Sequence, residues 1–179
     1  MVLGIIKNED KFTEAELEEL IPKLFFHLYR ATYEYMTIRR IQGESVDNKW
    51  QIMYIKVASI VRVARMDINK PVYILVDNGE IEVNQFGKGV KRKIMKSGNH
   101  YKLSLTPYFK SMGLNVGDFV IVKVKKGLFR ISNPIHEKQL LEAVTKEKLR
   151  PRFKYANVDN GGVSDAGEID PMFDNIFKD

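Results

Sequence analysis

From Thr13 onward the apolar residues Leu17, Leu20, Ile21, Leu24, Phe25 and Leu28 recur at helical spacing, and acidic residues crowd the start of the run. Thr13 followed three residues later by Glu16 forms a capping box, so a helix is predicted to begin here. Pro22 inside the run predicts either a kink or the first turn of a second helix. Beyond Ser45, the residues Val46, Trp50, Met53, Val57, Ile60 and Ala64 alternate by fours and threes, which predicts a second amphipathic helix. The β-rich run "WQIMYIKV" also admits a strand. The helical reading is preferred, giving a helical N-terminal region over residues 1–70.

The period then changes. "PVYILVDNGEIEV" alternates around Asn78-Gly79 and predicts a tight hairpin. Residues 89–96 predict a strand, Ser97-Gly98-Asn99 a turn, and 100–105 a returning strand. "TPYFKSMGL" predicts a short helix with Thr106 as cap, Pro107 in the first turn and Gly113 as the stop. "NVGDFVIVKV", "KKG" and "LFRIS" predict a second hairpin, which closes a β-rich region over 71–132. A helix over 133–150 starts at Pro134. Residues 151–179 are Gly-rich, acidic and short of large side chains, so they predict a disordered tail that regains apolar residues only at its tip.

In order and spacing, "RKIMKSGN", the pattern of "KLSL", the helix ending "MGL", Gly117-Asp118 before "FVIVKV", and "GLFRI" resemble the AbrB/MazE/SpoVT family of swapped-hairpin DNA-binding domains over about residues 91–132. The resemblance implies an α+β chain: a helical N-terminal region, a β-hairpin, an AbrB-like swapped-hairpin β-barrel formed by a homodimer, and the acidic tail. A unit this small has little core of its own and leaves strand edges for a partner chain. The family carries Ile-Pro where the second strand enters the helix, whereas here Pro107 is displaced.

Charge sharpens this picture. The chain of 179 residues carries a net +6, but residues 156–179 hold six carboxylates and a single lysine and so carry −5, leaving +11 on residues 1–155. A body this basic favours a polyanion such as DNA. Six cations fall within residues 88–102, among them Lys91, Arg92, Lys93 and Lys96, which are placed to anchor phosphates, with Lys88 beside them. Asn99, His100 and Lys102 are placed to reach base edges or backbone around the turn. In the tail, Met172, Phe173, Ile176 and Phe177 recur at helical spacing and suit a protein partner's groove.

The chain has no cysteine, which excludes disulfides, thiolate chemistry and Cys-ligated zinc. No apolar run reaches membrane-spanning length and the N-terminus does not read as a signal peptide, so a cytoplasmic protein is expected. His27 reads as a packed or half-exposed helix residue and His136 as a surface residue. Asp77, Glu80 and Glu82 read as a solvated hairpin rather than a metal site. No nucleophile and base are paired, so no reaction and no cofactor are assigned. The expected function is a dimeric transcription regulator that binds duplex DNA through a basic β-ribbon. An antitoxin, or a viral or replication accessory protein that binds single strands and recruits a partner by its tail, are the alternatives, and a winged-helix reading of residues 14–84 stays open.

Overall fold

The computed structural model describes residues 11–47 and 50–149. The chain divides into two units, Met1–Ala143 and Val144–Asp179, and the second is described only through residues 144–149. The α+β character expected from the sequence is present. Among the described residues no helix is long and apolar enough to cross a membrane.

The first helix, α1 (Glu14–Leu24), starts with the expected capping box: the Thr13 hydroxyl accepts from the Glu16 amide, and the Glu16 carboxylate accepts from the Thr13 amide at 2.7 Å. Pro22 does not end the helix, which runs on to Leu24 and then loosens into one π-helical turn, Phe25–Tyr29. Proline lacks the amide that would close the turn behind it, which eases such a local unwinding. Leu17 and Leu24 are buried with Met36 and Ile121, so this segment covers the outer face of a sheet.

Strands, not a helix, follow. β1 (Tyr35–Arg40), β2 (Gln42–Val46) and β3 (Trp50–Lys56) occupy the region expected to be helical, and only the short α2 (Ala58–Val63) is helix there. Met53 and Ile55 are buried on β3 at a spacing of two, and Val57, Ile60, Val61 and Ala64 are buried by α2 and its ends. A strand running straight into a helix mimics the spacing of one continuous helix. The β-branched and aromatic composition of "WQIMYIK" decided for the strand, because its pleat finds partners on both sides.

The Asn78-Gly79 hairpin forms as expected between β4 (Val72–Asp77) and β5 (Glu80–Asn84), with φ of 50° and 77° at the two turn residues. The single strand expected over 89–96 is instead two short ones, β6 (Val90–Arg92) and β7 (Met95–Ser97), in different sheets. β8 (His100–Ser104) pairs with β7 across the Gly98-Asn99 turn, where Gly98 takes φ 58°. α3 (Thr106–Ser111) is capped by Leu105 rather than Thr106. The Thr106 hydroxyl is engaged elsewhere, accepting from the Met53 amide at 2.8 Å and so tying α3 to β3. β9 (Phe119–Lys125) and β10 (Leu128–Ser132) form the last hairpin, and α4 (Pro134–Leu149) begins at the expected proline.

These strands make two antiparallel sheets, β1-β9-β10-β5-β4-β6 and β2-β3-β8-β7. β1 passes into β2 through the single residue Ile41, and β6 into β7 through Lys93 and Ile94. The edges of the larger sheet therefore continue as the edges of the smaller one, and the chain itself joins the two sheets at two corners. Strands that switch sheets at a bend make such corners. Ile41 is held there by both backbone groups, its amide donating to the Asp118 carbonyl at 2.8 Å and its carbonyl accepting from the Gly117 amide at 2.9 Å. Ile94 is buried at the other corner. One core fills the space between the sheets, from Val72, Ile74, Ile81, Val83 and Phe129 on one side to Ile55, Leu103 and Phe109 on the other.

The dimer expected from the sequence rested on strand edges that a second chain must pair. β6, β7, β8, β9 and β10 find their partners in this same chain, among them β4, β3, β5 and β1. Thermal unfolding is therefore expected to show a midpoint independent of protein concentration, whereas a midpoint that rises with concentration would show that folding needs a second copy.

The β6 entrance depends on Gly89, at φ 115°, where an added Cβ would lie 2.3 Å from the Ile74 carbonyl oxygen. Gly98, at φ 58°, has open space around it. Gly89→Ala is expected to cost about 3 kcal/mol or more in urea unfolding, because strain and a backbone clash combine. Gly98→Ala should cost only about 1 kcal/mol, the left-handed strain alone.

Candidate nucleic-acid interface

The basic residues of this chain separate into two populations. One is buried and neutralised. Lys123, on the outer face of β9, is 1% exposed. Its ammonium pairs with Glu80 and with Glu137 at 2.7 Å, and lies 4.3 Å from the centre of the Tyr29 ring. Burial pushes the Glu137 carboxyl up, but the Lys123 charge and hydrogen bonds from Lys123 and Tyr29 outweigh it and hold the group below its ordinary value of 4.5. Burial and the bond to Glu137 push the Tyr29 hydroxyl far up, so it stays protonated and donates to Glu137 at 2.5 Å.

Arg130, beside Lys123 on β10, reaches Glu82 at 2.7 Å, Glu80 at 3.5 Å and Asp77 at 3.6 Å. The three acids of the β4–β5 hairpin are thus structural counter-charges, and no group of three or more ligands placed for a metal occurs among the described residues.

The second population is exposed or half-buried and lines the seam between the two sheets. Where β1 turns into β2, a groove of about 380 Å³ opens between that corner, the end of β3, α2 and the β7–β8 turn. It is lined by Arg39, Arg40, Gln42, Lys56, Ala58, Ser59, Arg62, Asn99, His100 and Tyr101. Arg39 is fixed by its guanidinium: Nη1 donates to Thr37 Oγ1 at 2.9 Å and to the Ile38 carbonyl at 2.8 Å, and Nη2 to Ser59 Oγ at 2.6 Å.

Among the described residues, none of Arg39, Arg40, Lys56 or Arg62 forms an ion pair with a carboxylate. Lys56 also stands directly across from Lys102 in the β3–β8 ladder, a like-charge pairing that destabilises a sheet. Lys102 is relieved by Glu44 at 2.5 Å and by the Tyr54 ring. Lys56 has no such relief and faces the groove.

The residues singled out from sequence are distributed accordingly. Asn99 and His100 belong to the groove, and Lys96 lies cross-strand from Tyr101, on the same face of the β7–β8 hairpin. Lys88, Lys91, Arg92 and Lys93 are exposed along the approach to the second corner and β6. Lys102 differs from them, being buried against Glu44. His136 is exposed, as expected, and His27 is exposed rather than packed or half-exposed. Met172, Phe173, Ile176 and Phe177 lie outside the described residues. The sequence reading missed Arg39, Arg40, Lys56 and Arg62. Only the Arg39-Arg40 doublet was a local signal, since Lys56 joins it through strand register and Arg62 through the placement of α2.

Comparison of the chain with protein-family models, with curated proteins and with solved structures returned no match. Its chemistry is therefore argued from the groove itself.

The buried network sets an acid limit on the scaffold. Because Glu137 is depressed in the folded state, its contribution is present above its unfolded value near 4.5 and is lost as pH falls through the folded value. Urea-unfolding stability is expected to hold from neutral pH to about 5 and to fall below that. Glu137→Gln should lower stability by about 1–3 kcal/mol at pH 7 and flatten the acid limb. An acid limb as steep as in the parent protein would remove Glu137 from its cause.

Proposed function

We propose that this protein binds nucleic acid, holding the phosphate backbone in the groove between the β1/β2 corner, α2 and the β7–β8 turn. The observation that carries the reading is the set of four cations there, Arg39, Arg40, Lys56 and Arg62, without a carboxylate partner among the described residues. Cations crowded into a concavity repel one another and gain most from a polyanion that neutralises them together. Arg39 is already oriented by Thr37, Ile38 and Ser59, so less freedom is lost on binding, and it keeps N–H donors for a phosphate. Asn99 and His100 add polar side chains to the same lining.

A second reading keeps the duplex-binding regulator suggested by the resemblance. It is supported by Lys91, Arg92, Lys93 and Lys96, exposed on the convex β6/β7 corner. Such a corner suits contact with a wide duplex better than a narrow groove does.

Fluorescence anisotropy over a salt series separates the two. Arg40→Ala/Arg62→Ala is expected to weaken binding at least tenfold and to reduce the salt slope by about 2, one for each phosphate contact removed. Lys91→Ala/Arg92→Ala/Lys93→Ala should have the smaller effect. If only the corner variant loses affinity, the groove is not the binding surface. Wild-type affinity and slope in both folded variants would end the nucleic-acid reading.

A further inference from the structure

We propose that Phe86 is a base-stacking platform at the end of the groove, so that the nucleic acid this protein takes is single-stranded. This deepens the groove reading and rests on it. Phe86 lies in the loop between β5 and β6 and, at 63%, is the most exposed large hydrophobic side chain described. Single exposed apolar residues are ordinary. This one is unusual in how firmly it is held.

Asn84, fully buried, accepts from the Phe86 amide through Oδ1 at 3.0 Å and donates through Nδ2 to the Lys88 carbonyl at 2.9 Å, so one side chain clamps both ends of the loop. Gln85 exchanges two bonds with the Asp67 backbone, 2.9 and 2.7 Å. Beneath the ring lies Gly127, where an added Cβ would meet Phe86 Cζ at 2.5 Å. The aromatic ring thus has a seat that only glycine leaves open and a backbone already fixed, while most of its surface meets solvent.

Its surroundings are cationic. Lys88 shares the loop, and Lys126 precedes Gly127. The Gly127 amide donates to the Ala64 carbonyl at 2.7 Å, which brings this hairpin tip against the end of α2 and beside exposed Arg65. Arg62, three residues before Arg65, lines the groove. α2 spans about 9 Å at 1.5 Å per residue; it lines the groove from Ala58 to Arg62, and Ala64, just past its end, bonds the Gly127 seat of the platform. The neighbouring acid Asp67 is engaged by the Asn69 amide at 2.9 Å and by Lys70 at 4.0 Å. An ordered aromatic face next to a cation track is what an unpaired base and its phosphates need, whereas a base inside a duplex has both faces covered.

The test uses the full chain and three probes: oligothymidylate of about 20 nucleotides, an abasic strand of equal length that keeps its phosphates, and a duplex of equal length. Phe86→Leu keeps the apolar volume and removes the π-face. It is expected to weaken oligothymidylate binding about tenfold while leaving abasic binding and the salt slope unchanged. Phe86→Trp should retain affinity and show emission quenched by oligothymidylate but not by the abasic strand, measured against the parent protein with its single Trp50. Wild-type affinity in Phe86→Leu, an unquenched Phe86→Trp, or tighter duplex than single-strand binding would each overturn the platform. The groove reading would survive any of these if Arg40→Ala/Arg62→Ala still lost affinity, and it would fail if that variant bound the probes as the wild-type chain does or if the wild-type chain bound none of them.

Discussion

Closure of two sheets through two bent strands is the constraint on which the rest of this structure depends. Among the described residues each sheet has two edge strands that pair on one side only, β1 and β6 in the larger and β2 and β7 in the smaller. Here the Ile41 corner carries β1 into β2 and the Lys93-Ile94 corner carries β6 into β7, so each edge becomes the start of the other sheet. A bend interrupts a ladder and must be held by other bonds. At Ile41 the Gly117-Asp118 turn supplies them. At Ile94 burial of the side chain supplies the hold.

The corners also decide where charge can reside. Side chains on the outside of a bend splay apart and remain in water, so cations there carry little desolvation cost. Arg40 and Lys91 to Lys93 occupy such positions and are exposed. Inside the α-covered face the opposite holds: Lys123 is tolerated only because Glu80, Glu137 and the Tyr29 ring surround it. Glu80, Glu82 and Asp77 are drawn to that face by Lys123 and Arg130. The acids of the β4–β5 hairpin and Glu137 thus gather on one side of the larger sheet, away from the four groove cations.

Local signals were legible in the sequence wherever a short stretch determines its own geometry. The Thr13–Glu16 capping box, the Asn78-Gly79 and Gly98-Asn99 turns and the proline start of α4 need no distant partner. Residues 45–64 were misread because β3 followed directly by α2 places Met53, Val57, Ile60 and Ala64 at spacings one helix would also give. Only the pairing of β3 with β2 and β8 separates the two cases, and pairing is a non-local fact. The site divides in the same way. Asn99 and His100 stood out through their turn, while Lys56 enters the groove through a strand register and Arg62 through the packing of α2, neither of which spacing encodes.

The resemblance of residues 91–132 to swapped-hairpin domains shows how far a local pattern reaches. Hairpin, short helix and hairpin are present in the expected order, yet that order does not say which strands sit beside them. In this chain β1 takes the free side of β9, β5 that of β10, and β3 that of β8. A small β unit must cover its edges with a second copy or with added strands, and the segments before residue 91 provide the strands. Those same segments bring Arg39, Arg40, Lys56 and Arg62 to the seam. The residues that complete the barrel are therefore also the ones that make its groove cationic, so under the proposed function the binding surface arises from closure within one chain and needs no two-fold partner to form it.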